Sequence, residues 1–277
     1  MISMNHNKTV FITGASSGIG KAAAEEFLKN GWNVVATMRS KEKGAELAAH
    51  PNCLIVELDV GRADTVTAGV AAAIERFQKI DVLVNNAGYA LTGPFETMDD
   101  AAIAQQFDTN VLGLMRMTKA VLPQMRANGG GIIINIASMG GRVTFPLYSV
   151  YHGTKFAVEG FTESLQFELA PQNIRVKLIE PGAIKTDFYS RSMAHSNADG
   201  IAEYEALLAK AMPVLNTAGA NGTSPSVVAQ TIVQAANDNS QKLRYPVGQN
   251  SRLLLFVHAI VPQRLYAALI RLYFRIS

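Results

Sequence analysis

Short apolar runs alternate with longer stretches of helical periodicity along most of this chain. "TVFITG" (9–14), "NVVATM" (33–38), "CLIVELDV" (53–60), "IDVLVNNAG" (80–88), "GIIINIAS" (131–138) and "IRVKLIEPG" (174–182) are compact and rich in Val, Ile and Leu. Runs that are apolar on both faces read as buried strands, and "KLRYPVG" (242–248) is a seventh candidate. Between them, "IGKAAAEEFLKNG" (19–31), residues 64–78 and 99–127, "SVYHGTKFAVEGFTESLQFELA" (149–170) and "SPSVVAQTIVQAAND" (224–238) carry helical spacing. Gly31 is placed to end the first helix, and Ser224 with Pro225 to begin the last. This alternation predicts an α/β fold: a doubly wound (Rossmann) parallel β-sheet of about seven strands with helices on both faces.

No Pro-, Gly- or Ser-rich linker, repeat or low-complexity segment interrupts the pattern, so residues 1–277 read as one domain. Hydrophobic residues make up 48% and charged residues 17%, which supports a large core and excludes a disordered chain. A net charge of +3 is too small to indicate nucleic acid, and none is expected as a partner. Its distribution matters more. Asp238 is the last acid, and Lys242, Arg244, Arg252, Arg264, Arg271 and Arg275 follow it, so the tail carries +6 and the rest nets −3. Cys53 is the sole cysteine and the five histidines lack ligand spacing, so neither a disulfide nor a metal is expected. "MISMNHNKTV" shows no basic segment leading into a long apolar one, and a cytoplasmic location is the default expectation.

"TGASSGIG" (13–20) joins the first strand to its helix. There Gly14 permits a sharp turn, Gly18 lets backbone approach a pyrophosphate, and Gly20 allows close helix–strand packing. The free N–H groups and positive dipole end of the helix then face phosphate. The second strand ends Ala36-Thr37-Met38-Arg39-Ser40, with no acid to accept from a ribose 2′-hydroxyl. Arg39 can instead pair with a 2′-phosphate, with Lys41 or Lys43 adding charge, so NADP is the expected cofactor and NAD the weaker fit.

"YHGTK" (151–155) sets Tyr151 and Lys155 four residues apart, on one helix face. In order along the chain stand "TGASSGIG", "NNAG" (85–88), Asn110 in "TNVLG", Ser138 in "NIASMGG", "YHGTK" and "PGAIKT" (181–186). Together they resemble the short-chain dehydrogenase/reductase family, specifically so over residues 8 to 186 and not at all in the final tail. The resemblance implies that Tyr151 is a general acid and base whose pKa, near 10 when free, is lowered by the Lys155 ammonium. Lys155 would also hold the nicotinamide ribose, Ser138 would hydrogen-bond the substrate oxygen, and Asn110 would hold a water linking the lysine to solvent. For the cofactor it implies Gly14, Ser16, Ser17, Gly18, Ile19 and Gly20 at the phosphates. Asp59 and Val60 would lie at adenine, Asn86, Ala87 and Gly88 along the ribose, and Pro181, Gly182, Ile184 and Thr186 at the carboxamide. Ser17 with Arg39 is similar to NADP-preferring members.

In the family, the insertion at 187–223 is a mobile substrate lid. Phe188, Tyr189, Met193, Tyr204, Leu207, Leu208, Met212 and Leu215 make it apolar here. With Tyr89, Met139, Val143, Phe145 and Tyr148 they suggest a pocket for a small hydrophobic carbonyl or alcohol, although Arg142 and Arg191 leave an anionic substrate open. The C-terminal helical extension, 249–277, has a nine-residue apolar run from Leu253 to Val261, too short to span a bilayer. It can fold back over the lid, pack on a partner subunit or lie on a membrane surface, and the first two are favoured. The overall expectation is an NADP-dependent oxidoreductase, a homodimer or homotetramer. A 3-oxoacyl-carrier reductase and a catalytically silent NADP-binding sensor are the alternatives.

Overall fold

The computed structural model describes residues 7–185, 193–249 and 251–276. The chain begins with β1 (Thr9–Ile12), α1 (Gly18–Lys29), β2 (Asn33–Met38), the short α2 (Ala45–Ala48), β3 (Cys53–Glu57) and α3 (Ala63–Phe77). It continues through β4 (Val82–Asn85), β5 (Ala90–Thr92), α4 (Asp100–Phe107), α5 (Gly113–Ala127), β6 (Gly131–Ile136), α6 (Ser149–Leu169) and β7 (Ile174–Pro181). The last elements are β8 (Met193–His195), α7 (Ala202–Ala220), α8 (Pro225–Asn237), β9 (Arg244–Val247), α9 (Ser251–Ile260) and α10 (Gln263–Phe274).

Among the described residues, seven strands pair in the order β3-β2-β1-β4-β6-β7-β9, and every pair is parallel. Parallel neighbours need crossovers, and the amphipathic helices supply them. One face of the sheet packs Ala23, Ala24 and Phe27 of α1 and Val228, Ile232 and Ala236 of α8 against Val10, Ile12 and Val84. The other face packs Val70 of α3, Val121 and Met125 of α5 and Leu165 of α6 against Phe11, Leu83 and Ile133. Both faces are covered by helices, so most strand residues are apolar in both directions, as the sequence pattern required. The strand order reverses between β1 and β4, and the crevice at that switch point is where such sheets take ligands.

Two features depart from the periodicity. Residues 99–127 do not form one helix: α4 and α5 are separated by a π-helical stretch, Asp108–Leu112, that holds Asn110. A parallel ribbon pairs β5 with β8, Leu91 opposite Ala194, and ties the lid region to the strand that follows "NNAG". Ser224 caps α8 by accepting from the Ser226 N–H at 3.3 Å, with Pro225 in the first turn, as expected.

The tail folds back on its own chain. α9 and α10 turn at Pro262, and Leu255 and Tyr266 pack on Val143. Phe274 inserts between Leu147 and Ala211 of α7, beside Phe145 and Ile270. At 2% exposure Phe274 is the most buried apolar side chain of the described tail. Phe274→Ala is therefore expected to lower the unfolding free energy by about 3–5 kcal/mol, read from urea titration. A loss below about 1 kcal/mol would mean that the tail is not packed in solution.

Candidate active site

One continuous cleft of about 2430 Å³ runs along the C-terminal ends of the strands. Its floor at the phosphate end is the loop between β1 and α1. Gly14 and Gly18 have φ of +68° and +56°, a region that glycine enters without strain. A Cβ on Gly14 would lie 2.9 Å from the Ala87 Cα, and one on Gly20 would lie 2.5 Å from the Asn86 Nδ2. Gly20 does not line the cleft; it sits beneath it and lets α1 approach. Ser16, Ser17, Gly18 and Ile19 do line it, with the α1 N-terminus behind them. This is a cradle that side chains would fill, shaped for a diphosphate.

The cradle is tied from below. Asn86 Nδ2 donates to the carbonyls of Thr13 and Gly14 at 2.9 and 3.0 Å. Thr13 Oγ1 accepts from the Asn86 and Ala87 N–H groups at 2.9 and 3.0 Å. Further along, Asp59 accepts from the Gly61 N–H at 2.9 Å, and Asp59, Val60, Asn86, Ala87 and Gly88 all face the cleft. Arg39 is exposed at its rim beside Lys43, and no carboxylate among the described residues pairs with it. Burial raises the Tyr89 phenol above its usual pKa while Arg39 works to lower it.

At the other end stand Ser138, Tyr151 and Lys155. Ser138 follows β6, and its Oγ accepts from the Gly140 N–H at 3.0 Å, which leaves the hydroxyl hydrogen to donate. Tyr151 and Lys155 project from the first turns of α6. The Lys155 ammonium lies 5.7 Å from the Tyr151 ring centroid and donates to the Ile136 carbonyl at 2.8 Å. Burial pulls Lys155 down to about 8, and the Glu159 carboxylate one turn on opposes that shift. Tyr148 meets Tyr151 edge-on at 5.9 Å and stacks on His152 at 5.5 Å; Phe145 meets His152 edge-on at 5.7 Å. Pro181, Gly182 and Ile184 close the cleft after β7, and Ile184 bridges to Thr223.

The family model described as short chain dehydrogenase matches residues 8–197. This chain belongs to the short-chain dehydrogenase family. It is 37% identical to the uncharacterized oxidoreductase YusZ of Bacillus subtilis, over 96% of this chain and 98% of that one. To human retinol dehydrogenase 8 it is 42% identical, over 68% of this chain and 62% of that one. A crystal structure of a Streptomyces avermitilis short-chain dehydrogenase superposes with a TM-score of 0.83 at 33% identity, covering 95% of this chain and 94% of that one. Two further structural neighbours hold cofactor. One is a Brucella melitensis 3-ketoacyl-(acyl-carrier-protein) reductase complexed with NADH (TM-score 0.73, 27% identity, 86% of this chain and 96% of that one). The other is ElxO with NADP bound (TM-score 0.72, 29% identity, 87% of this chain and 97% of that one). The chain is accordingly an oxidoreductase of this family with a nicotinamide dinucleotide site.

Not every residue expected at the site faces the cleft. Asn110 does not line the cleft. Its amide is held by the Tyr89 backbone, accepting at 3.1 Å and donating at 2.8 Å, and by Thr154 Oγ1 at 3.1 Å. Val143 is buried under the tail instead of facing substrate. Tyr204 points outward to Glu96 at 2.8 Å, and Leu207, Leu208 and Met212 pack with Leu147 and Phe274. Arg142 is engaged by buried Glu180 at 3.3 Å, so it is not an open anion anchor. Tyr89, Phe145 and Tyr148 do line the cleft, as do Met139 and Leu215. Thr186, Phe188, Tyr189 and Arg191 lie outside the described residues, as does the Met193 side chain. Three contributors went unnoticed in the sequence. Thr13 and Thr154 are ordinary threonines until the fold is known, and nothing in the spacing of His152 marks it as packed against Phe145 and Tyr148.

His152 gives a pH test of this packing. Its Nδ1 accepts from the Phe145 N–H at 3.4 Å, and burial pushes its pKa down to about 4, so the ring is neutral in the folded protein. The unfolded chain takes up a proton below about 6.5 that the folded one refuses until about 4, so stability falls as pH drops through that window. Glu159, raised to about 7 by burial, acts in the opposite direction: its contribution is lost as pH rises from its unfolded value towards 7. The comparison of wild type with His152→Gln cancels the Glu159 contribution. Between pH 7 and pH 4 the wild type should lose about 3 kcal/mol more than the variant in urea titrations. Equal losses would show that His152 is not held neutral.

Proposed function

We propose that the chain is an NADP-dependent oxidoreductase that transfers a hydride between nicotinamide and the carbonyl or secondary alcohol of a hydrophobic substrate. The observation that carries this reading is the meeting of Ser138, Tyr151 and Lys155 at the end of a cleft whose other end has Arg39, paired with no carboxylate among the described residues. When bound, the nicotinamide supplies or accepts the hydride. In the reducing direction the Tyr151 hydroxyl gives its proton to the carbonyl oxygen as the carbon takes the hydride, and the Ser138 O–H steadies the charge developing on that oxygen. The Lys155 ammonium favours the phenolate left behind. In the oxidising direction Tyr151 takes the alcohol proton. Asn110 serves as a positioning residue, joining the Tyr89 backbone to α6 through Thr154. The apolar walls supported by Phe145, Tyr148 and the tail favour a substrate recognised by burial rather than charge.

Residues 1–277 would act as one domain. We further propose a homodimer or homotetramer, supported by Phe156 and Phe167, which α6 leaves exposed on its outer face. Substrate identity is the point on which a 3-oxoacyl-carrier reductase would differ, and turnover separates either enzyme from a silent cofactor sensor.

NADPH should bind at least ~10-fold more tightly than NADH, about 1.4 kcal/mol, and Arg39→Ala should weaken NADPH far more than NADH. Equal affinities of the wild type for the two would defeat the NADP assignment. Tyr151→Phe should abolish NADPH-dependent reduction of a panel of hydrophobic ketones and aldehydes while keeping cofactor affinity, because only the hydroxyl is removed. Lys155→Met should lose both. Near-normal turnover by Tyr151→Phe would rule out the proton-transfer role.

A further inference from the structure

The docked tail is two-faced. Ser251, Leu255, Tyr266 and Phe274 are buried against the body of the protein. On the outer side, Leu253, Phe256 and Ile260 of α9 and Leu265, Leu269 and Leu272 of α10 are between 45% and 76% exposed. Their spacing of three and four residues makes one stripe on each helix. Beside the α10 stripe, Arg264 and Arg271 fall on a second exposed row two helical turns apart, and Arg275 is exposed just past the C-terminal end of the helix. Arg244 is engaged by Glu159 and Glu163. Among the described residues no carboxylate pairs with Arg252, Arg264, Arg271 or Arg275, and no acid follows Asp238 in the chain.

We propose that this face docks on an anionic lipid surface, with α9 and α10 lying in the plane of the interface. The six apolar side chains enter the boundary of the acyl region, and the arginine row stays level with the phosphates. Among the described residues no helix is long and apolar enough to cross a membrane, so the contact is with one leaflet. A second copy of the chain fits this face poorly. A two-fold contact is self-complementary, and it would set one arginine row against another with no acid on either helix to offset the repulsion. The face is also continuous with the cleft, because Leu253, Leu269 and Leu272 belong to the lining of the cavity that holds Tyr151. If the oxidoreductase reading holds, a lipid-soluble substrate passes from the bilayer to the cleft without crossing water; the docking itself does not rest on that reading.

The test uses the full chain without turnover. The protein is sedimented with vesicles of phosphatidylcholine alone and of phosphatidylcholine mixed with phosphatidylglycerol. Partition should be at least ~10-fold stronger on the anionic vesicles and should weaken with added salt. The double variant Phe256→Glu/Leu265→Glu, both sites lying outside the cleft lining, should lose at least ~10-fold of that partition, about 1.4 kcal/mol. Arg264→Gln/Arg271→Gln, which leaves the apolar stripe intact, should lose the preference for anionic lipid. Unfolding midpoints within the wild-type range confirm that both variants fold. The proposal is overturned if the wild type binds neither vesicle, or if the glutamate variant binds as well as the wild type. It is equally overturned if light scattering shows a wild-type dimer that the glutamate variant dissociates while vesicles capture nothing, since a second copy then covers the face. Because no substrate enters the assay, an inactive enzyme would leave the vesicle result standing.

Discussion

The cleft depends on how closely β1 and β4 are tied at their C-terminal ends. Thr13 and Asn86 make four hydrogen bonds across that gap, each using a backbone group that would otherwise be orphaned beside a ligand site. Each is worth only ~1 kcal/mol net, but together they fix the geometry at which the Gly14 and Gly20 backbones touch their neighbours. A larger residue at either glycine would have to displace backbone or the Asn86 amide. The shape of the phosphate cradle is therefore set before any cofactor arrives, and an anion need not pay the entropy of ordering the loop.

The Tyr151 end of the cleft is organised around a buried cation. Lys155 is 9% exposed and gives one hydrogen bond to the Ile136 carbonyl at the end of β6. Burial disfavours its charge, and behind it lies a compensating cluster. Glu159 and Glu180 are both raised by burial and held by Arg244 and Arg142, with the Arg244 Nε 3.0 Å from Glu159 and the Arg142 Nη1 3.3 Å from Glu180. Arg142 belongs to the loop after Ser138, Glu180 to β7, Glu159 to α6 and Arg244 to β9. One ionic group thus joins four segments beneath the site, and removing an arginine would weaken the compensation of the buried Glu159 and Glu180.

The parallel sheet of seven strands and its helices on both faces were legible because buried parallel strands have a pattern that does not depend on their partners. Ser138, Tyr151 and Lys155 were legible because motif and spacing travel together. The break at Asp108–Leu112 was not, since one extra residue in a turn barely disturbs an apolar stripe. It is held by contacts distant in sequence: Asn110 to Tyr89 and Thr154, and Asp108 to Arg116 at 2.6 Å. The β5–β8 ribbon escaped for a related reason, being three residues long on each side and joined across about a hundred residues of chain. Val143 and Tyr204 show the limit of composition: apolar or aromatic character near a pocket does not say whether a side chain faces the pocket, the core or solvent.

The tail presents that limit in its sharpest form, because a helix can satisfy an apolar surface on more than one side. On α10, Tyr266, Ile270 and Phe274 turn inward while Leu265, Leu269 and Leu272 turn outward. A sequence reading sees one amphipathic helix and asks whether its apolar side meets protein or lipid. The apolar side of α10 is wide enough to have a buried part and an exposed part, with the arginine row along one edge, so docking on the body leaves the exposed leucines uncovered. The same helices form part of the cleft wall, where the nearby Arg142 is already neutralised by Glu180. On the proposed reading, a cleft that selects by apolar burial and opens beside an apolar outer face would draw its ligands from the phase in which such molecules concentrate.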